Sequence, residues 1–116
     1  MSAEPIRVVI SEDPRTSPRP AEALRVALGL ALDASAVRVV LVGEGARVLD
    51  DRHEELEDGE ALERHRRILA ERGVVFEAEE GALDGLRVPA RLYRIDRADP
   101  AGLGRALNSA SRAIVF

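Results

Sequence analysis

The side chains able to do chemistry fall into three sets. The first is the loop Ser11-Glu12-Asp13-Pro14-Arg15-Thr16-Ser17-Pro18-Arg19-Pro20. Ser11, Thr16 and Ser17 offer hydroxyls there, and Arg15 and Arg19 stand four apart. Beside a helix N-terminus such an arginine pair can grip a phosphate or carboxylate. Salt bridging to Glu12 or Asp13 would use up the same residues. The second set is Gly43-Glu44-Gly45, where the backbone is free either to approach a ligand or only to turn tightly. The third is Glu77 and Glu79, a carboxylate pair of the type that serves as general base. The loop lacks the spaced glycines of the dinucleotide and mononucleotide phosphate fingerprints.

Other reactive types are scattered. His53 stands in His53-Glu54-Glu55-Leu56-Glu57, which lacks the second histidine of a zincin motif. His65 falls on the apolar side of a helical pattern, the place of a packed imidazole. No metal site is expected, because three or four ligands must converge to make one. Ser35, Ser109 and Ser111 are the other hydroxyl candidates, and no G-x-S-x-G frames any serine as a nucleophile. Asp50/Asp51, Glu54/Glu55 and Glu79/Glu80 read as solvated acidic surface. Nothing in the chain calls for a cofactor.

Composition narrows the classes further. The 116 residues fit one domain, 1–116, long enough for a modest core. The apolar share comes from Ala, Val and Leu, and Phe76, Tyr93 and Phe116 are the only aromatics. So few rings argue against base stacking, and the interspersed charges form no basic stripe, so no nucleic acid is expected as partner. All 17 basic residues are arginine, and the net charge is −4. Cysteine is absent, which removes disulfides, thiolate nucleophiles and sulfur ligands together. No apolar run approaches membrane-spanning length, and Glu4 and Pro5 interrupt any apolar leader. A cytoplasmic protein that keeps clear of membranes is the expectation.

These residues must be positioned by an alternation of strands and helices. After a frayed Met1–Pro5, Ile6–Ile10 reads as a buried strand and Ala21–Asp33 as a helix. Ser17 would be the cap, with Pro18 and Pro20 in the first turn. The helix shows only a thin polar stripe of Glu22, Arg25, Gly29 and Asp33, so it should be covered on most sides. Val37–Val42 is a second strand, joined to the first by a right-handed crossover. A short helical piece (Ala46–Asp51) and a helix from Glu60 to Arg72 follow. On the latter Leu62, His65, Ile68 or Leu69, and Arg72 share a side, and Glu60/Arg64 and Glu63/Arg67 pair along it. Val74–Phe76 is the third strand, with Glu77 and Glu79 beyond its end. A turn at Gly81–Leu86, a weaker strand at Arg91–Ile95, a helix capped by Asp99-Pro100 and a last strand at Ala113–Phe116 complete the chain. Such an order predicts a three-layer α/β/α sandwich with a five-stranded, mainly parallel sheet. Its ligand crevice would lie at the strand C-termini.

The stretches Ile6-Arg7-Val8-Val9-Ile10-Ser11-Glu12-Asp13-Pro14, Glu22-Ala23-Leu24-Arg25-Val26-Ala27 and Val39-Val40-Leu41-Val42-Gly43-Glu44-Gly45 resemble the DsrE/DsrF-like family, which includes the TusD sulfur-relay proteins. The ending Ser111-Arg112-Ala113-Ile114-Val115-Phe116 is similar to that family's terminal strand. The resemblance implies a homo-oligomer, a trimer or hexamer. It also implies a cysteine just after the third strand that accepts a persulfide and passes it to a partner. The matching stretch here, Phe76-Glu77-Ala78-Glu79-Glu80-Gly81, holds no cysteine, and no other side chain can carry the sulfur.

Two functions follow from this reading. One is a non-catalytic scaffold or small-ligand and partner-binding subunit, its site formed by Ser11, Arg15, Thr16, Ser17, Gly43, Glu44, Gly45, Glu77 and Glu79. The other is a small enzyme in which Glu77 or Glu79 acts as general base on an anionic small molecule held by Ser11 or Arg15.

Overall fold

The β-branched runs pair into a single sheet. A computed structural model describes residues 5–33, 35–109 and 112–116, except for the side chains of His53 and Ser109. The expected frayed tail, apart from Pro5, and Ser111 lie outside the described residues. Strand β1 (Ile6–Ile10) leads into helix α1 (Arg19–Leu32), and β2 (Val37–Leu41) follows. Two 3-10 turns (Gly43–Leu49 and His53–Glu55) then lead to α2 (Gly59–Glu71) and β3 (Val75–Glu79). A third 3-10 turn (Ala90–Leu92) precedes β4 (Arg94–Ala98), α3 (Pro100–Ser109) and β5 (Ala113–Val115).

The strand order is β4-β3-β2-β1-β5, and all four pairings are parallel. Parallel neighbours cannot be joined by tight hairpins, so each connection crosses a face of the sheet. The chain steps outward from β1 to β4, then returns through α3 to the far side of β1. Right-handed crossovers in opposite directions place their helices on opposite faces. Accordingly Val8, Ile10, Val39, Leu41 and Phe76 pack with Ala23, Leu24, Leu62 and Leu69 of α1 and α2. On the other face Val9 and Val40 pack under Leu103 of α3. The three-layer α/β/α architecture with five parallel strands is therefore present.

Several boundaries move, each for a physical reason. Strand β3 continues through Glu77 and Glu79, where the sequence suggested a loop, because arginines on β1 and β2 neutralise Glu77 inside the sheet. Strand β4 starts at Arg94, not Arg91: residues 90–92 coil, and Tyr93 turns inward to meet Phe76 edge-on at 5.5 Å. Helix α1 starts at Arg19, and its cap is Pro18, not Ser17. Ser17 stands one place further out, where its Oγ accepts the Arg19 N–H at 3.1 Å. Strand β2 stops at Leu41, and the helical piece after it begins at Gly43 and so includes both glycines.

On α2 the buried line is Leu62, Arg66 and Leu69, not the line through His65 and Arg72. Arg66 lies within the packed face because its NH1 donates to the carbonyls of Val48 and Asp50, both at 2.6 Å. Glu63 and Arg67 pair as expected. Asp99 caps α3 as expected, its Oδ1 accepting the Gly102 N–H. The narrow wet stripe of α1 is also present: Glu22, Arg25, Gly29 and Asp33 are exposed, joined by Leu32 at the helix end.

Candidate functional site

Ser11 stands at the C-terminal end of β1, Gly43 just past that of β2 and Glu79 at that of β3. The strands are adjacent and in parallel register, so these residues share the sheet edge where α/β proteins take ligands. The polar side chains of the loop after β1, however, are largely engaged within the protein. Ser11 binds the end of the last strand, with its N–H and Oγ donating to the Phe116 carbonyl at 3.3 and 3.2 Å. Asp13 grips Arg15, whose Nε and NH2 donate to the carboxylate at 2.8–3.2 Å. That contact holds Asp13 below the usual carboxylate range and raises Arg15. Glu44 approaches the same guanidinium at 3.5 Å and also pairs with Arg47.

Arg19 pairs with Glu12 at 2.9 Å and lies over the Phe116 ring. Thr16 Oγ1 donates to the Asp13 carbonyl at 3.5 Å. Of the two uses open to the arginines, salt bridging within the loop is the one realised. The loop is a braced turn, tied also to the acidic stretch Glu54-Glu55-Leu56-Glu57 by the Glu57 N–H, which donates to the Pro14 carbonyl at 2.7 Å.

Gly45 serves packing. A Cβ there would lie 2.1 Å from the Ile10 carbonyl oxygen, so the 3-10 turn can cross β1 only without a side chain. Gly43 has φ +54° and open space around it.

Glu77 is the largest departure from expectation. It does not stand beyond the strand but inside β3, 8% exposed, on the face shared with Val40. Its Oε1 accepts from Arg7 Nε at 2.9 Å, and Oε2 lies 3.8 Å from Arg38 NH1. Arg38 also donates to Asp96 at 3.0 Å. A charged row Arg7–Glu77–Arg38–Asp96 therefore crosses four strands beside the patch covered by α3. Both oxygens of Glu77 face arginines, while the loop serine and arginine that were expected beside it bind elsewhere. Glu77, Ser11 and Arg15 are not brought together, and only Glu79 keeps its place at the edge.

His65 is half-buried on α2 facing α1, and burial together with Arg64 and Arg25 lowers its pKa. Cations on both sides suit a neutral packed imidazole. Among the described residues, no three His, Asp or Glu converge as metal ligands. No described helix is long and apolar enough to cross a membrane.

Sequence reasoning missed a second region, beside α2. There Asp50 and Arg52 form a two-toothed ion pair with contacts of 2.6–3.0 Å, and the Asp50 carboxylate also accepts the Arg52 N–H. The Arg52 contact lowers the Asp50 pKa to about 2. A depressed acid stabilises the fold above its unfolded value of 3.8 and loses that contribution as pH falls toward about 2. Asp50→Asn is therefore expected to lower stability at pH 7 by about 1–2 kcal/mol. The loss should fade below pH 3 in urea titrations, and an equal loss at pH 7 and pH 2 would contradict the assignment. The only early sign of this region was the Asp50/Asp51 pair, read as surface.

No family model matches the chain, and no curated protein matches it by sequence. Solved structures do match. The crystal structure of the ychN protein from E. coli superposes with a TM-score of 0.75, covering 98% of this chain and 100% of that one at 17% identity. The chain therefore has the DsrE-like fold that its sequence resembles, with five parallel strands between two helical layers.

Proposed function

We propose that residues 1–116 act as one non-catalytic DsrE-like domain, a cytoplasmic homo-oligomeric scaffold or binding subunit that does not use cysteine-based sulfur transfer. The observation that carries this reading is the exposure of the sheet at β5. This edge strand has only three residues, Ala113–Val115, and all of them are exposed. Ile114 is 40% and Val115 63% exposed, and alternation turns them to opposite faces. A parallel sheet is normally covered on both faces and shielded at its edges. Here the exposed apolar edge continues the β1–β5 pairing and is suited to a second copy of the chain. Leu32, at the end of α1, is a separate exposed apolar side chain, 56% exposed. The absence of cysteine supports the non-catalytic part, as does the commitment of Glu77 to Arg7 and Arg38.

The experiment is light scattering coupled to size exclusion, on the wild-type chain and on Val115→Glu. The wild type is expected at a multiple of the 12.6 kDa chain, three or six copies by resemblance. Val115→Glu is expected to shift it toward one copy with its circular dichroism intact, because a charge buried without a partner opposes association. A monomeric wild type from which pull-downs recover no protein partner would sink the proposal.

A further inference from the structure

We propose that two copies of the chain join edge to edge through β5, antiparallel about a two-fold axis that passes beside Ile114. This pairing rests on the homo-oligomeric reading and specifies the edge, the register and the symmetry of the contact.

The backbone of β5 sets the register. The Arg112 carbonyl accepts the Arg7 N–H at 3.1 Å, and Phe116 donates its N–H to the Val9 carbonyl at 2.9 Å and accepts the Ser11 N–H at 3.3 Å. Peptide groups alternate in direction along a strand. Ile114 therefore also faces β1, whereas the N–H and C=O of Ala113 and Val115 point away from it. The outer edge thus offers two donors and two acceptors centred on Ile114. An antiparallel copy with Ile114 opposite Ile114 sets Ala113 against the partner's Val115 and Val115 against the partner's Ala113. Each of those pairs can exchange two hydrogen bonds, so every outward group is used. A shift by one residue would set outward groups against inward ones.

The two edges of the sheet are unlike. β4, at the far edge, exposes Arg94, Asp96 and Arg97, and charges on an edge strand discourage pairing. β5 is Ala113-Ile114-Val115, without charge or proline. Joining β5 to β4 of the next copy would run head to tail and grow an open filament, whereas β5 on β5 closes on itself. The side chains fit the closed pairing. Ile114 lies on the face of Val8 and Val115 on the face of Val9. The two Ile114 side chains meet across the axis on one face, and on the other Val115 covers the partner's Ala113. A two-fold contact also requires an even number of copies, which admits six and not three.

Because the chain has no cysteine, thiols can be placed one at a time. Opposite residues of a non-hydrogen-bonded antiparallel pair have Cα atoms about 4.5 Å apart, within disulfide reach, while diagonal neighbours lie at about 7–8 Å, beyond it. Ile114→Cys is therefore expected to form a covalent dimer under mild oxidation at least about tenfold faster than Val115→Cys. Random collision would favour position 115 instead, since Val115 is 63% and Ile114 40% exposed. Val115→Pro removes an N–H that points away from β1 and should cut the copy number in light scattering to about half or less, with circular dichroism intact. If that variant does not fold, the two cysteine variants still decide. An assembly of three copies, equal or reversed rates of linking, or a folded Val115→Pro with the wild-type copy number overturns the edge pairing and leaves the homo-oligomeric reading standing. A monomeric wild type overturns both together.

Discussion

Gly45→Ala is expected to lower stability by about 3 kcal/mol or more, and so to abolish folding if the chain is only marginally stable. The added Cβ would stand 2.1 Å from the Ile10 oxygen and 2.7 Å from its carbonyl carbon. Neither is the end of a flexible side chain, so relief requires the backbone to move. The Ile10 carbonyl also accepts the Val42 N–H at 2.9 Å, so moving it loosens the β1–β2 pairing at the centre of the sheet. The neighbouring glycine is the control. Gly43 has open space and needs only its left-handed φ of +54°. Gly43→Ala should therefore cost about 1–2 kcal/mol, and Gly43→Asn less. Urea denaturation of the three variants checks the ordering. Equal losses at positions 43 and 45 would mean that the close crossing over β1 is not what fixes Gly45.

The second large effect concerns the buried charges of the sheet. Glu77→Leu alone and Arg7→Met alone should each cost about 3 kcal/mol, because each leaves a nearly buried charge without its main partner. The Glu77 and Arg7 side chains are only 10% and 13% exposed, so solvent compensates little. Arg7→Met with Glu77→Leu should recover most of that loss and finish within about 1 kcal/mol of the wild type, since paired apolar groups replace a pair whose desolvation is costly. Arg38 keeps Asp96 as its partner in every variant. Denaturant midpoints of the four proteins form a double-mutant cycle. If the double variant loses the sum of the singles, the two residues are not coupled and the row of charges is an accident of neighbouring positions.

The charged row also marks the limit of what the sequence reveals. A strand is recognised by apolar or alternating residues, and the alternation in Phe76-Glu77-Ala78-Glu79 placed polar groups where a loop was equally plausible. Glu77 belongs inside the sheet only because Arg7 and Arg38 lie on the same face, 70 and 39 positions earlier in the chain. No local pattern carries that information. Arg66 is a similar case. Its spacing from Leu62 and Leu69 is that of a buried residue, yet its type argues for the surface, until the carbonyls of Val48 and Asp50 are brought to it. For the same reason His65 took its place on the apolar side of α2 in the sequence reading.

What the chain determined alone was therefore its periodic content. The β-branched runs at Ile6–Ile10 and Val37–Leu41, the apolar length of α1, the Asp99-Pro100 start of α3 and the absence of cysteine all follow from residue type and short-range spacing. Together they suffice for the α/β/α order and for excluding thiol chemistry. Tertiary structure alone decided how the charges are spent. It closed Arg15 on Asp13 and Arg19 on Glu12, placed Glu77 between two arginines and buried the Nε of Arg66 without an acceptor among the described residues. The physical reason is one of range. Backbone preference and apolar periodicity act within a few residues, whereas the partner of a buried charge is set by strand order and register, which join positions far apart in the chain.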